Sequence, residues 1–118
     1  MKVSEVIYSN LGNLFNGSVY PLVKPESEKA NPYLVYTVLN TNPENVIDGF
    51  TGYEMAYIQL DIYSTDYDDC EDLTNQVIQT LKNNLNVFYY EGRQYLHEDD
   101  TGLYRQLIEC HLWQSDRA

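Results

Sequence analysis

The residues best suited to metal or redox chemistry are two cysteines and two histidines. Cys70 and Cys110 are far apart in the sequence and form no CxxC pair, and His97 and His111 lie in strand-like segments without ligand spacing to either cysteine. Zinc sites use three or four ligands in a recognisable pattern. Because each cysteine falls on the predicted inward side of its element, we expect two buried free thiols and no metal site.

Carboxylates are the other side chains that could bind a metal ion or take part in catalysis. The run Asp66-Tyr67-Asp68-Asp69 partly matches a calcium loop, but Glu71 stands where that loop needs glycine and Val77 occupies its twelfth position. The sequence contains no GxSxG, P-loop, GxGxxG or HExxH motif, and nothing places a nucleophile beside a base. We therefore expect a protein that is not an enzyme and uses no cofactor.

Net charge is the strongest compositional signal, at −11. A protein that grips nucleic acid needs a Lys/Arg face, so this charge argues against such a role. No basic residue lies between Lys29 and Lys82, whereas the same interval contains Glu44, Asp48, Glu54, Asp61, Asp66, Asp68, Asp69, Glu71 and Asp72. The acids indicate either a solvated, solubilising face or a surface that meets DNA without holding it.

The element that must position these residues runs from Tyr53 to Leu85. Its first part alternates, which predicts a strand with an inward face of Ala56, Ile58, Leu60 and Ile62. Its second part predicts a helix that begins near Ser64-Thr65-Asp66, with an apolar stripe of Cys70, Leu73, Val77, Ile78, Leu81 and Leu85. Negative charge in the first helical turns suits the helix dipole.

The remaining segments complete the prediction. Apolar spacing predicts a first helix over residues 3–14, an edge strand or extended arm over 18–23, a strand over 33–39, and a hairpin of strands 93–97 and 104–113. We expect residues 1–118 to form one domain of α+β class. It should contain an antiparallel sheet of about four or five strands, with two helices packed on one face.

The opposite face of the sheet is a candidate interface. Strand alternation places on it Met55, Tyr57, Tyr63, Leu107, His111 and Trp113. The chain has 12 tyrosines, and Tyr and Trp are enriched at the centres of interfaces. The alternative is that this face is partly roofed by the segment 40–51 and by the N-terminal arm.

The segment 40–51 is predicted to be a long connection with exposed apolar residues. It contains Val46, Ile47, Asp48 and Phe50, which we interpret as a partner-contacting loop. Folding back over a sheet edge is an equally open interpretation. No apolar run is long enough for a membrane helix and the first residues lack the apolar core of a signal peptide, so we expect a cytoplasmic protein without membrane contact.

Four successive stretches carry a family resemblance: VYP, NPYLVYTVL, DGFTGYE and IQLDIYSTDYDDCEDLTNQVIQTL. In this order they resemble the tail completion, or tail terminator, proteins of long-tailed bacteriophages and prophages. That family pairs a Pro-Tyr-hydrophobic-Tyr strand with a Gln-hydrophobic-Asp-hydrophobic-Tyr strand, followed at once by a helix. The acidic helix start YDDCED departs from the alanines that are more usual there, and the C-terminal hairpin matches only in general character.

The resemblance implies a structural subunit of a ring, commonly six-fold, that caps the tail tube at its head-proximal end. Its implied partners are further copies of itself, the tail tube protein and the head-tail connector protein, with DNA passing through unbound. Isolated subunits would stay monomeric if the tube end templates the ring. The implied location is the host cytoplasm during assembly and the virion tail afterwards. Within this hypothesis, Asp68, Asp69 and Asp72 are candidates for lining the lumen.

A second class of function remains open. An acidic cytoplasmic binding module or adaptor, including a mimic of nucleic acid, would use the same carboxylates to bind a basic protein partner. Such binding is salt-dependent, whereas ring contacts through apolar and aromatic side chains survive salt.

Overall fold

The computed structural model describes residues 1–27 and 30–115. In chain order the elements are α1 (Val3–Leu11), a 3-10 helix (Gly12–Phe15), β1 (Val19–Pro21), β2 (Tyr33–Val46), β3 (Gly49–Ser64), α2 (Tyr67–Asn84), β4 (Phe88–Glu98) and β5 (Leu103–Ser115). Within this part of the chain the five strands form one sheet in the order β1-β2-β3-β5-β4. The α+β class is confirmed.

The core lies between the helices and one face of the sheet. The predicted inward residues of β3, from Ala56 to Ile62, are completely buried, and β5 places Ile108 and Cys110 beside them in antiparallel register. Both helices contribute to the same cluster, for example through Leu11 of α1 and Leu81 of α2. The alternation of β3 therefore assigns each of its side chains to the helical side or to the opposite, outer face.

Helix α2 follows its predicted pattern closely. Asp66 is its N-cap, and the Asp66 carboxylate accepts a hydrogen bond from the backbone N–H of Asp69 at 2.9 Å. Five of its side chains are buried against the sheet, and they are Cys70, Thr74, Val77, Ile78 and Leu81. Leu73 and Leu85 are partly buried against the same core. The strand-to-helix junction is thus built from local capping and one apolar stripe.

Both cysteines are free and buried, as predicted. Burial raises the pKa of Cys70 to about 11 and that of Cys110 to about 12. The Cys70 thiol donates a hydrogen bond to the backbone oxygen of Ile62, with 3.4 Å between the two atoms. At neutral pH both thiols are protonated and pack as small apolar side chains.

Two expectations about the sheet were wrong. Strand β1 pairs with β2 in parallel, through Val19 and Leu34, whereas an antiparallel sheet was expected. The segment 40–51 is not a loop, because β2 continues to Val46 and β3 begins at Gly49, so the two strands form one long antiparallel hairpin. The first helix also ends earlier than predicted, at Leu11, and a 3-10 helix follows it.

The central position of β3 makes the core sensitive to loss of volume. Leu60→Ala should lower the free energy of unfolding by about 2 to 5 kcal/mol, because it removes buried methyl groups and leaves a cavity. Urea denaturation followed by circular dichroism measures the change. The matched control is Leu96→Ala, since Leu96 is 40% exposed on β4, and it should cost less than about 1 kcal/mol. Equal losses for the two variants would contradict this location of the core.

Candidate interaction surfaces

The outer face of the sheet carries all six residues predicted for an interface. In the β3–β5 register, Met55 lies opposite Trp113 and Tyr57 lies opposite His111, while Leu107 lies opposite Asp61 and Tyr63 lies opposite Arg105. Leu107 is only 9% exposed, whereas the other five predicted residues are partly exposed. The six side chains therefore share one face but divide into two neighbourhoods.

The first neighbourhood consists of Met55, Tyr57, His111 and Trp113, at the end of the sheet where β3 begins. We call it the aromatic row. The rings of Tyr57 and His111 are stacked, with centroids 4.5 Å apart and an interplanar angle of 14°. The Tyr57 hydroxyl donates to Glu109, and this hydrogen bond raises the pKa of Tyr57. The Nδ1 atom of His111 lies 3.1 Å from a carboxylate oxygen of Glu91. Glu109 and Glu91 thus each hold one of the two stacked rings.

The second neighbourhood is centred on a charge pair that the sequence analysis missed. Asp61 is only 3% exposed, and both Nε and Nη2 of Arg105 lie 3.0 Å from one of its carboxylate oxygens. The guanidinium of Arg105 also lies 5.6 Å from the centroid of the Tyr63 ring, which stacks on Tyr33 at 4.5 Å. Burial raises the pKa of Tyr63 to about 12.

The segment that follows β1 lies beside this second neighbourhood. Leu22, Val23 and Lys24 line one pocket together with Tyr33 and Arg105. The Lys24 ammonium lies 5.5 Å from the centroid of the Tyr33 ring. The outer face is therefore partly roofed by the segment after β1, as one interpretation of the sequence allowed, and the segment 40–51 takes no part. The aromatic row stays open.

The hairpin of β2 and β3 extends beyond the rest of the sheet. We call residues 42–52 the arm, since within the described chain β1 reaches only Tyr36 of β2 and β5 reaches only Tyr53 of β3. Residues 42–50 are all exposed, and Ile47 at the turn is fully so. The molecule measures 52 × 27 × 23 Å. The predicted contact residues Val46, Ile47, Asp48 and Phe50 thus belong to a projecting β-hairpin.

The base of the arm is anchored to the sheet by side chains. Glu54 accepts hydrogen bonds from the Thr41 hydroxyl at 3.3 Å and from the Gln114 amide at 3.2 Å. Further out, the Thr51 hydroxyl donates to the backbone oxygen of Glu44 at 3.2 Å. Gly49 completes the turn with φ of +110°, a conformation that favours glycine.

The acids at the start of α2 are exposed and partly explained by the helix itself. Asp68, Asp69 and Asp72 all lie on the solvent side, near the N-cap Asp66. Glu71 instead turns toward the sheet, where its carboxylate accepts from Arg93 and Gln106, each at 2.9 Å. This contact ties α2 to β4 and β5, which sequence spacing alone did not reveal.

Within residues 1–27 and 30–115, no group of three or more His, Cys, Asp or Glu side chains is arranged to hold a metal ion. Across the same residues, none of the helices combines the length and the hydropathy needed to cross a membrane.

Comparison with known proteins identifies a family and a shared fold. The family model described as tail completion protein gp17 matches residues 9–115. Among solved structures, a chain of the "Virion of native gene transfer agent (GTA) particle" is similar with a TM-score of 0.72 and 10% sequence identity, over 93% of this chain and 92% of that chain. A search of curated proteins finds no match. The family resemblance read from the sequence is confirmed.

The Asp61–Arg105 pair should be tightly coupled. Arg105→Met should destabilise the fold by about 2 to 4 kcal/mol, because it leaves the buried Asp61 carboxylate without its cation. In the Asp61→Asn background the same change should cost clearly less, and urea denaturation of the four proteins gives the coupling energy. If Arg105→Met lowers the free energy of unfolding equally in both backgrounds, then Asp61 and Arg105 do not stabilise each other.

Proposed function

Because the chain belongs to the tail completion protein gp17 family, we propose that it is the ring-forming subunit that caps a phage tail tube at its head-proximal end. It is a structural protein of tail assembly. In the proposed role it ends polymerisation of the tube and presents a docking surface to the head connector. The observation that carries the proposal is the family match over residues 9–115, which includes both the arm and the outer face.

The distribution of surfaces supports this role. A ring subunit must contact a neighbour on each side and also the proteins above and below it. The aromatic row, with Met55, Tyr57, His111 and Trp113, offers a partly exposed face of the kind found at interface centres. The arm offers a second, separate contact through exposed apolar residues. One chain thus presents two candidate contact surfaces, the arm and the aromatic row beside its base.

The acidic surface suits a passage for DNA. Asp68, Asp69 and Asp72 are exposed, and no Lys or Arg lies among them in this part of α2. If these side chains face the lumen of the ring, they repel the phosphate backbone and let DNA pass without binding. We assign them to the lumen on this ground, and we place assembly in the host cytoplasm followed by incorporation in the virion tail.

The proposed capping role has a direct assay. Adding the chain to polymerising tail tube protein should stop tube growth, giving short tubes with a density at one end in negative-stain images. Trp113→Ala with Tyr57→Ala should weaken capping about tenfold or more, because interface aromatics typically contribute 2 kcal/mol or more, about 30-fold in affinity. The control is Tyr8→Ala, since Tyr8 is 57% exposed on α1, on the helical side of the sheet.

Tubes that grow to the same length with or without the chain would overturn the proposal. The acidic adaptor remains the competing function, and it predicts a different result. A monomer that binds a basic protein only at low salt, and leaves tube length unchanged, would favour the adaptor.

The lumen assignment is tested by reversing charge. Particles carrying Asp68→Lys, Asp69→Lys and Asp72→Lys together should deliver DNA more slowly or retain part of it, because the cations would bind phosphates as the DNA passes. The control reverses three exposed acids elsewhere, Glu26, Asp99 and Asp100. DNA delivery that is unchanged in the first variant, or equally impaired in both, would place the α2 acids outside the lumen.

A further inference from the structure

A groove of ≈490 Å³ lies between α2 and β4, on the helical side of the sheet. Its apolar lining includes Ile78 of α2 with Phe88 and Tyr90 of β4, and Tyr90 is 43% exposed. Strand β4 is the last strand of the sheet, so within the described residues the groove opens at a free sheet edge. An apolar groove of this kind can receive exposed apolar side chains of another chain.

The groove is also cationic, in a chain whose net charge is −11. Lys82 and Arg93 both line it. Arg93 is neutralised by Glu71 at 2.9 Å. Lys82 is exposed in the last turn of α2, and it forms no ion pair within the part of the chain that the structure describes. Within the described residues, the groove therefore offers the ammonium group of Lys82, without an ion pair, beside an apolar lining.

The tip of the arm has the complementary character. Val46 is 58% exposed and Ile47 is fully exposed, so two adjacent aliphatic side chains face solvent at the turn. Asp48 follows directly and Glu44 lies just before, both exposed. Phe50, by contrast, lines the groove between the arm and α1 of its own chain. The tip thus presents two aliphatic side chains flanked by carboxylates.

The arm and the groove are formed by different strands of one sheet. The arm extends β2 and β3, whereas the groove lies on the edge strand β4. The five residues of β2 within the arm span about 15 Å. Because the arm projects this far beyond the strands that flank it, its tip can reach the side of an adjacent copy while the two bodies touch.

We propose that the arm tip of one copy of this chain docks in the α2–β4 groove of the next copy. Ile47 packs against Ile78 and Phe88, and the Asp48 carboxylate pairs with the Lys82 ammonium. Donor and acceptor are different surfaces, so the contact is heterologous and generates a closed ring or an open filament, not a two-fold dimer. The inference rests on the proposed function, to which it adds the contact between subunits.

Cross-linking tests the contact directly. The variant Asp48→Cys with Lys82→Cys, treated with a short bismaleimide, should give a ladder of covalent dimers, trimers and larger species on denaturing gels. Each single variant should give no species beyond a dimer. Cys70 and Cys110 are completely buried, so the native thiols need no replacement. The matched control is Asp48→Cys with Lys2→Cys, because Lys2 lines the other groove, next to α1.

Charge exchange gives a second, independent readout. Asp48→Lys and Lys82→Glu should each weaken self-association about tenfold, measured by light scattering over a concentration series, and the double variant should recover to within about threefold of wild type. Asp100→Lys, an exposed change of the same size on the β4–β5 turn, should leave association unaltered. Both experiments are done on the free chain and on the chain bound to tail tube ends.

The possible results separate the inference from the function it rests on. A ladder with Lys82→Cys, and none with Lys2→Cys, supports the inference. Self-association without that ladder, a ladder of covalent oligomers from Asp48→Cys with Lys2→Cys, or cross-linking of Asp48→Cys to the tube protein overturns the inference and leaves the capping role standing. A chain that self-associates neither alone nor at tube ends overturns both.

Discussion

The structure depends on the one-sided burial of β3. This strand pairs with β2 on one side and with β5 on the other, and its inward residues from Ala56 to Ile62 are completely buried beneath the helices. A strand that buries every second side chain must turn the others outward, so the core itself places Tyr57, Asp61 and Tyr63 on the outer face. A shift of one residue would exchange the two faces. The core and the candidate contact surface are therefore two consequences of one register.

The parts of the fold that were predictable are those with a strong local period. The β3–α2 unit combines a period of two with an apolar helical stripe and a capping aspartate, and each signal agrees with the packing. Parallel pairing of β1 with β2 has no local signal, because strand propensity does not specify the relative direction of two strands. The arm did carry a signal. Asp48-Gly49 between apolar residues is a hairpin pattern, but Pro43 and its neighbouring asparagines suggested a loop.

The contact surfaces divide in the same way. Alternation was sufficient to place Met55 and Trp113 on the outer face, because that needs only the period of each strand. The Asp61–Arg105 pair and the Arg93–Glu71 contact needed more, because their partners come from separate elements. The first depends on the register of β3 with β5 and the second on the packing of α2 against β4. A sequence without cross-strand register shows the acids as a run of negative charge. The structure divides that run into buried partners and exposed carboxylates.

The arm has the physical properties of a segment that is ordered before it binds. Its base is continuous with the two central strands, and Glu54 fixes it through hydrogen bonds to Thr41 and Gln114. A preorganised hairpin loses less conformational entropy on docking than a flexible loop would, so a small tip can suffice for a specific contact. A closed ring adds a further advantage, because the last subunit to enter forms two contacts while losing its translational freedom once. Individually weak arm contacts would therefore be compatible with a stable ring of the kind proposed.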